Sequence, residues 1–297
     1  MQYQNLLQTI GNTPIIELRR YSRNPKITLL AKLEGSNPGG SIKDRVALSM
    51  ILDAQKKGVL RKDQTIIEAT SGNTGISLAM ISAYFDYKFA AVMPETASIE
   101  RRKLLKSYGS EVIITDGRFG TNYAIEVAKN IVKENSNKYI QLNQFSNIMN
   151  VSAHYVTTGK EIIDAVPKIT HLVAGMGTGG TLMGVGKRLK EFNPKIQIVG
   201  VEPKALSTIQ GLRNMKAYTP SIYQESTLDR KLKLKYDEPA FELARDLFRR
   251  EGLSVGISSG AALWGAIEIS KKIKQGIIVV IFPDRGDRYI STRLFTV

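Results

Sequence analysis

Short, almost continuously apolar segments alternate along this chain with longer segments in which apolar residues recur every three or four positions. The short segments are typical of strands buried on both faces, and the longer ones of helices packed against a sheet. This alternation predicts an α/β protein whose mostly parallel sheets carry helices on both faces. The predicted strands are residues 27–32, 65–69, 89–93, 111–115, 171–175, 196–201 and 277–282. Helices are predicted after Lys43 and over residues 76–85, 99–108, 123–134, 158–165, 181–191, 239–251 and 261–274.

Two stretches interrupt the alternation. Residues 206–225 are weakly patterned and contain tyrosine and proline, which predicts a long irregular connection. Such connections in compact domains are usually functional or mobile. Residues 143–150 are polar and are the best candidate for a domain boundary.

Composition excludes several classes of function. The 297 residues, 42% of them hydrophobic, can bury the core of one large or two smaller domains. The absence of cysteine excludes disulfides, thiolate metal sites and cysteine nucleophiles, and with only two histidines no metal site is expected. No apolar run reaches the length of a membrane span and the first residues lack a signal-peptide pattern, so a soluble, cytoplasmic protein is expected.

The net charge of +15 raises the alternative of a nucleic-acid binder. The basic residues are scattered over the predicted helices, without a known reader motif or interleaved aromatic residues. A solvated surface that attracts anionic substrates is therefore the preferred explanation, and no nucleic-acid partner is expected.

Residues 37–45, Asn-Pro-Gly-Gly-Ser-Ile-Lys-Asp-Arg, place one lysine where a loop meets a helix. Pro38 and the glycine pair interrupt regular structure, and Ser41 is a good N-cap. Lys43 is therefore predicted in the first helical turn, where the positive end of the helix dipole disfavours an ammonium group. A neutral lysine amine can attack an aldehyde and form a Schiff base. From this segment alone, a solvated surface lysine is the preferred interpretation.

A glycine-rich loop at residues 177–181, Gly-Thr-Gly-Gly-Thr, lies between a predicted strand and a predicted helix. Glycines let backbone N–H groups approach an anion, and the helix N-terminus adds partial positive charge. The loop matches neither a P-loop nor a dinucleotide fingerprint. A phosphate cradle together with a free lysine suggests pyridoxal phosphate, whereas the loop by itself could be only a tight turn.

Three further loops carry polar side chains. Residues 70–75, Thr-Ser-Gly-Asn-Thr-Gly, suit a carboxylate ligand, or else form a capped helix start. Residues 256–260 precede a predicted helix, and either Ser258 or Ser259 could be an N-cap or a functional group. Residues 284–289 follow the last strand at its carboxyl end, where α/β folds bind ligands, or form a salt-bridged turn.

Taken together, these motifs resemble the fold-type II pyridoxal-phosphate enzymes, specifically the cysteine synthases (O-acetylserine sulfhydrylases) and most closely their B type. The resemblance runs along nearly the whole chain. Its further landmarks, in the family's order, are Ile10-Gly11-Asn12-Thr13-Pro14, Lys32-Leu33-Glu34, Met93-Pro94, Ser98-Ile99-Glu100-Arg101-Arg102 and Gln144-Phe145.

The resemblance implies a tryptophan synthase β-like fold with two domains, each built on a mostly parallel sheet flanked by helices. Residues 1–35 and 144–297 would form the larger, cofactor-binding domain. Residues 36–143 would form a smaller mobile domain that carries the cofactor lysine and the loop for the substrate carboxylate. A homodimer is the family's usual assembly.

The resemblance also implies a role for each matching residue. Lys43 would hold pyridoxal 5′-phosphate and later move the substrate Cα proton, and Asn73 would hydrogen-bond the cofactor's 3′ oxygen. Ser258 would face the pyridine nitrogen and leave it unprotonated, which restrains the ring as an electron sink. The phosphate would be bound by Gly177, Thr178, Gly179, Gly180 and Thr181, the substrate carboxylate by Thr70, Ser71, Thr74 and Gln144, and the second substrate by Arg213.

The implied reaction is β-replacement of O-acetyl-L-serine by sulfide, or by thiosulfate, giving L-cysteine and acetate. The alternatives are a cystathionine β-synthase or serine/threonine dehydratase on the same fold, and a cofactor-free scaffold protein. Two positions depart from the B type: Arg213-Asn214 stands where an arginine pair is usual, and Pro283 where a cysteine is usual. The family links these positions to thiosulfate use, so the sulfur donor stays open.

Overall fold

The computed structural model describes residues 2–70 and 72–295. Within them the strands are β1 (Ile15–Glu17), β2 (Ile27–Leu33), β3 (Thr65–Ala69), β4 (Lys88–Pro94), β5 (Glu111–Thr115), β6 (Tyr139–Gln141), β7 (His171–Gly175), β8 (Gln197–Pro203), β9 (Arg230–Leu234) and β10 (Gly276–Phe282). The α-helices are α1 (Lys43–Lys56), α2 (Asn73–Tyr84), α3 (Ile99–Ser107), α4 (Gly120–Glu134), α5 (Met149–Ala153), α6 (Gly159–Ala165), α7 (Gly180–Phe192), α8 (Glu238–Glu251) and α9 (Ile257–Ser270). A π turn, His154–Thr158, joins α5 to α6.

The described strands form two sheets. The first has six strands in the order β1-β2-β10-β7-β8-β9, and the second has four in the order β5-β4-β3-β6. Only the β1–β2 pair is antiparallel among these described strands. The fold class expected from the sequence, α/β with two mostly parallel sheets flanked by helices, is confirmed.

Strand β10 shows why the central strands are almost continuously apolar. Ile278 and Val280 pack with residues of α8 and α9 on one face of the first sheet. Val279 and Ile281 pack with residues of α6 and α7 on the other face. Because successive side chains point to opposite faces, helices on both faces require apolar residues at every position. Burying each such side chain stabilises the fold by about 1.5–3 kcal/mol.

The second sheet is built in the same way. Ile66 and Phe89 pack against α1 and α2, whereas Ile67 and Val92 pack against α4. Helices therefore cover both faces of the central strands in each sheet. No described helix is long and apolar enough to cross a membrane.

The predicted strands and most predicted helices lie within about three residues of their observed positions, but two helix starts were wrong. Helix α9 begins at Ile257 and not at Ala261, so Ser258 and Ser259 belong to its first turn. The N-cap of α1 is Ile42 and not Ser41, although the Ser41 hydroxyl still accepts a hydrogen bond from the Lys43 backbone N–H. Strands β1, β6 and β9 and helix α5 were not predicted.

Candidate functional site

A cavity of about 520 Å³ lies where loops from the two sheets meet. Residues at or just beyond the carboxyl ends of β3, β4, β7 and β10 line it, which is where α/β sheets bind ligands. Its volume is typical of a site for a small molecule. Of the sequence-predicted site residues, the lining includes Lys43, Thr70, Asn73, Thr74, Gln144, Gly177, Thr178, Gly179, Thr181, Arg213 and Ser258.

Lys43 is the first residue of α1 and is the only lysine among the described residues that line the cavity. Its loop is tied to the end of β10, because the Ile42 N–H donates to the Pro283 carbonyl oxygen over 2.8 Å. The Lys43 amine lies 3.3 Å from the Thr178 hydroxyl. Burial lowers the pKa of Lys43 to about 8, so a substantial fraction is neutral near physiological pH. The predicted position of Lys43 in the first turn of a helix is confirmed. Burial lowers its pKa in addition to the lowering expected from the helix dipole.

The loop between β7 and α7 has the shape of an anion cradle. Gly179 has φ +90°, which favours glycine, and a Cβ on Gly177 would lie 2.6 Å from the Gly211 carbonyl oxygen. A Cβ on Gly180 would clash with the Asn150 side chain. Backbone N–H groups at the start of α7 have no partner inside that helix. The glycines therefore leave the backbone free to approach a phosphate. The loop fits the phosphate group of pyridoxal phosphate.

The loop after β3 is joined to a distant part of the chain. The Thr74 hydroxyl donates to Gln144 Oε1 over 2.6 Å, and Gln144 Nε2 donates to the Ala69 carbonyl oxygen over 3.4 Å. The Thr70 hydroxyl oxygen accepts from backbone N–H groups within the loop. The predicted carboxylate-binding residues are thus brought together, except that Ser71 lies outside the described residues.

Asn73 is held by the loop that follows β10. Its Nδ2 donates to Asp284 Oδ2 over 2.6 Å, and its Oδ1 accepts from Arg288. The Tyr289 hydroxyl also donates to Asp284 Oδ2. A side-chain amide has two N–H groups, so one remains on Asn73 for a ligand in the cavity. Residues 284–289 are therefore more than a salt-bridged turn, because they orient a residue of the site.

The structure distinguishes the two adjacent serines. Ser258 lies on the cavity wall in the first turn of α9. Ser259 does not line the cavity and is fully buried, and its hydroxyl has no hydrogen-bond partner in the described part of the chain. Only Ser258 is placed to contact a ligand.

Arg213 is fixed at the cavity by two aromatic rings. Its guanidinium carbon lies 4.8 Å from the ring centroids of both Phe145 and Tyr218. One of its nitrogens donates to Asn122 Oδ1 over 3.2 Å. Stacking of this kind holds a guanidinium in place while leaving edges free for an anion.

Two residues of the site were missed as functional candidates. Asn150 is fully buried and its Nδ2 donates to the Gln144 carbonyl oxygen and to the Thr178 hydroxyl, which links the two loops. Arg101 of α3 lines the cavity and donates to the Gln210 side chain. The sequence signal for Asn150 was the polar run 143–150, and that for Arg101 was the family landmark at 98–102. Neither signal indicates which side chains these residues contact.

Among the described residues, no group of three or more histidine, cysteine or acidic side chains could hold a metal ion. The electrostatics of the cavity instead come from cations. Lys43, Arg101 and Arg213 line it together, and its described lining contains no acidic residue. Such a site favours anionic ligands, among them a phosphate and a substrate carboxylate.

Comparison with known proteins agrees with this chemistry. A sequence model for the family described as "Pyridoxal-phosphate dependent enzyme" matches residues 6–284. Cysteine synthase B of Pseudomonas aeruginosa is 43% identical over 297 residues, covering 99% of this chain and 98% of that protein.

Two solved structures show the same fold. Cysteine synthase from Entamoeba histolytica superposes with a TM-score of 0.94 at 37% identity, covering 100% of this chain and 92% of that one. A hydrogen sulfide-producing enzyme from Fusobacterium nucleatum superposes with a TM-score of 0.90 at 42% identity, covering 97% of this chain and 100% of that one. The resemblance drawn from the motifs is therefore confirmed, as is dependence on pyridoxal phosphate. The chain belongs to the pyridoxal-phosphate dependent enzymes and, within them, to the cysteine synthases.

Proposed function

We propose that this protein replaces the acetoxy group of O-acetyl-L-serine with a sulfur nucleophile, releasing acetate and giving L-cysteine. One observation carries the proposal: a single cavity contains a lysine of lowered pKa, a glycine-lined phosphate cradle and a polar loop suited to a carboxylate. Similarity to the cysteine synthases supports the choice of substrate.

When bound, pyridoxal phosphate supplies an aldehyde and an electron-withdrawing ring that stabilises negative charge at the substrate Cα. Lys43 would hold that aldehyde until the substrate amine takes its place, and the freed Lys43 amine would then accept the Cα proton, since it is the one described lysine amine at the cavity. The N–H groups and hydroxyls of residues 177–181 would hold the phosphate, and Asn73 would donate its remaining amide N–H to the 3′ oxygen. Ser258 would face the pyridine nitrogen.

Thr70, Ser71, Thr74 and Gln144 would hold the substrate carboxylate. The hydrogen bonds from Thr74 to Gln144 and from the Gly75 N–H to Thr70 orient the loop beforehand. Loss of the Cα proton to Lys43 lets the Cβ–O bond break, and acetate leaves with its electron pair. The sulfur nucleophile then bonds to Cβ, and the proton returns to Cα. Water must stay out until that second bond forms.

We infer that residues 36–143 form a mobile domain that closes over the substrate. Hydrogen bonds that join this segment to the rest of the chain include Arg101 to Gln210, Ser98 to the Arg288 carbonyl, Asn122 to Arg213, and Glu100 to Ser291. Such contacts between side chains can break and re-form during a catalytic cycle. The buried ion pairs of Arg45 with Glu34 and Glu161, in contrast, hold the start of α1 to the rest of the chain. The homodimer and the cytoplasmic location stay predictions.

Turnover of defined substrates tests the proposed function. The holoenzyme with O-acetyl-L-serine and sulfide is expected to form cysteine and acetate in equal amounts. L-Serine with homocysteine is expected to give little cystathionine, and L-serine or L-threonine alone little oxo acid and ammonia. Oxo acid and ammonia as the main products would instead identify a dehydratase, and cystathionine a cystathionine β-synthase.

Ser258→Asp is expected to lower cysteine formation by about tenfold or more, while the cofactor stays bound. A carboxylate in place of the hydroxyl would keep the pyridine nitrogen protonated, and the ring would no longer be a restrained electron sink. Ser259→Ala is the matched control, because that hydroxyl faces away from the cavity. Steady-state rates and the visible spectrum of each variant measure both effects. Loss of activity in Ser259→Ala but not in Ser258→Asp would show that the assignment is one residue out.

Arg213→Ala is expected to reduce use of thiosulfate about tenfold or more, and use of sulfide far less. Thiosulfate is a larger dianion, and the stacked Arg213 is the cation placed to bind its second sulfur group. Wild type is expected to use sulfide well and thiosulfate less efficiently, because the Asn214 amide is turned to the Pro203 carbonyl oxygen. Raising the ionic strength should weaken thiosulfate use further.

Arg285→Ala is the control for this experiment. Arg285 does not line the cavity and pairs with Asp287 over 3.1 Å, so both donors should be used as in wild type. Rates with each donor at two ionic strengths provide the measurement. Equal losses for both donors in Arg213→Ala would contradict the role of Arg213.

A further inference from the structure

Glu68 is a fully buried carboxylate near the carboxyl end of β3, two residues before Thr70. It is not among the described residues that line the cavity. Its two oxygens accept hydrogen bonds from consecutive backbone N–H groups, that of Asn143 over 2.9 Å and that of Gln144 over 3.3 Å. Burial raises the pKa of Glu68 to about 7, although both hydrogen bonds act to lower it. A carboxylate in such a place is costly unless its hydrogen bonds are needed.

The sheet explains why a side chain is needed at this point. Strand β3 pairs in parallel with β6, but β6 ends at Gln141, which lies opposite Ile67. The chain then leaves the sheet, and Asn143 takes a left-handed φ of +55°, which is uncommon for residues other than glycine. The Glu68 carboxylate binds the backbone N–H groups of residues 143 and 144 where the strand ladder has ended. It therefore fixes the backbone where the chain leaves the sheet for the cavity.

Gln144 is the residue that this backbone presents to the cavity. Its carbonyl oxygen accepts from Asn150 Nδ2 over 2.7 Å, and its Oε1 accepts from the Thr74 hydroxyl over 2.6 Å. Its Nε2 donates one N–H to the Ala69 carbonyl oxygen over 3.4 Å, which leaves the second N–H for a ligand carboxylate. Glu68 completes this set of contacts, because it binds the backbone N–H of the same residue.

We propose that Glu68 is a positioning residue for the substrate carboxylate: it holds the backbone of Asn143 and Gln144 so that the Gln144 amide reaches the carboxylate site. This inference rests on the proposed binding of the substrate carboxylate by Gln144 and the loop after β3. Glu68 itself does not contact the substrate, because it is fully buried and lies outside the cavity lining. Its effect should therefore appear only with ligands that carry a carboxylate.

A pair of ligands tests this expectation in Glu68→Gln. L-Serine carries the carboxylate, and ethanolamine is the same molecule without it. Each ligand is titrated into the holoenzyme, and binding is followed by the visible absorbance of the cofactor. The substitution places an NH₂ group where one oxygen accepted, so one of the two backbone N–H groups loses its acceptor. L-Serine is expected to bind about five- to tenfold more weakly, and ethanolamine as in wild type.

Asp229→Asn is the matched control. The Asp229 carboxylate also accepts a backbone N–H, that of Ile198 over 2.7 Å, but it does so at the amino end of β8, whereas the cavity lies at carboxyl strand ends. Both ligands should bind this variant as they bind wild type. Equal losses of L-serine and ethanolamine in Glu68→Gln, or unchanged binding of both, would overturn the proposal. The same selective loss of L-serine in Asp229→Asn would also overturn it.

Gln144→Ala, alone and combined with Glu68→Gln, tests whether the effect passes through the Gln144 amide. Gln144→Ala alone is expected to weaken L-serine binding, and adding Glu68→Gln should then cause little further loss. The same loss from Glu68→Gln in both backgrounds would overturn the inference while leaving the carboxylate site intact. Wild-type affinity for L-serine in Gln144→Ala would instead contradict the proposed carboxylate site, and the inference with it.

Amide hydrogen exchange in the wild-type holoenzyme tests the idea even if Glu68→Gln fails to fold. The N–H groups of Asn143 and Gln144 follow the end of β6, so outside the sheet only their bonds to the carboxylate protect them. Both are expected to exchange with solvent about as slowly as the N–H groups of β6 itself. Exchange is measured residue by residue by NMR. Exchange of both groups as fast as in an exposed loop would overturn the proposal, because Glu68 would then not hold this backbone.

Discussion

Lys43→Ala is expected to abolish cysteine formation, with a loss of about three orders of magnitude or more in kcat. The reason is that no other lysine among the described residues reaches the cavity, so nothing else there can hold the cofactor aldehyde or take the Cα proton. Cofactor affinity should fall as well, because the covalent link is lost while the phosphate contacts remain. Turnover with O-acetyl-L-serine and sulfide, together with the visible spectrum, measures both effects.

The control for Lys43→Ala is Lys56→Ala, which removes an exposed lysine from the last turn of the same helix. Its turnover and melting temperature should match those of wild type. The melting temperature of apo Lys43→Ala should also change little, since the Lys43 amine makes one long hydrogen bond to Thr178. More than a tenth of wild-type turnover in Lys43→Ala would exclude the proposed mechanism.

Six of the seven strands predicted correctly from the sequence lie inside the sheets, and the seventh, β5, lies at an edge. Strand β10 is apolar along nearly its whole length because helices cover both faces, and its pattern is therefore strong. Strand β9, Arg-Lys-Leu-Lys-Leu, lies at the edge of its sheet, where charged side chains reach solvent and protect against pairing with another chain. Only Leu232 and Leu234 are apolar in β9, and β6, at the edge of the other sheet, has only three residues, so neither gives a clear strand pattern.

Helix α9 shows how packing can outweigh local propensity. Serine and glycine disfavour helix interiors, so residues 257–260 were predicted as a loop. In the folded protein, Gly260 lies so close to α8 that any Cβ would clash with the Ala240 carbonyl oxygen. The glycine is there because two helices meet at that point, and this contact between distant segments is invisible in the local sequence.

The same difference between local sequence signals and contacts across the chain applies to the candidate site. The loops that line the cavity carry strong local signals, and the predicted residues within the described chain line or border that one cavity. The residues that orient these loops carry no such signal, because their role consists of hydrogen bonds across large sequence separations. Asn150 reaches Thr178, and Glu68 reaches the backbone of Gln144. A lone glutamate or asparagine in a sequence is more often an ordinary polar residue, and only the geometry distinguishes the two cases.

The helix that carries Lys43 is anchored by a buried cluster of charges. Two residues after Lys43, the Arg45 guanidinium binds both oxygens of Glu34 at 2.7 and 2.8 Å, and it also binds Glu161. Glu161 in turn pairs with Lys32 over 2.6 Å. Burial alone would raise the pKa of Glu161, but Arg45 and Lys32 outweigh it and lower that pKa to about 2. Glu161 therefore stays ionised, and the cluster links α1 to β2 and α6.

Arg45→Met is expected to lower the free energy of unfolding by about 3–5 kcal/mol, because it leaves the fully buried Glu34 carboxylate without its partner. Arg61→Met is the matched control: it removes an exposed pair with Asp63 and should cost less than about 1 kcal/mol. Adding Glu34→Leu to Arg45→Met should restore part of the loss, since the unpaired charge is then gone as well. Denaturant unfolding of the apoenzymes measures all three variants. If Arg45→Met costs no more than Arg61→Met, the cluster does not hold the Lys43 helix. The placement of the amine must then come from the other contacts of α1 and its loop, such as the hydrogen bond from Ile42 to Pro283.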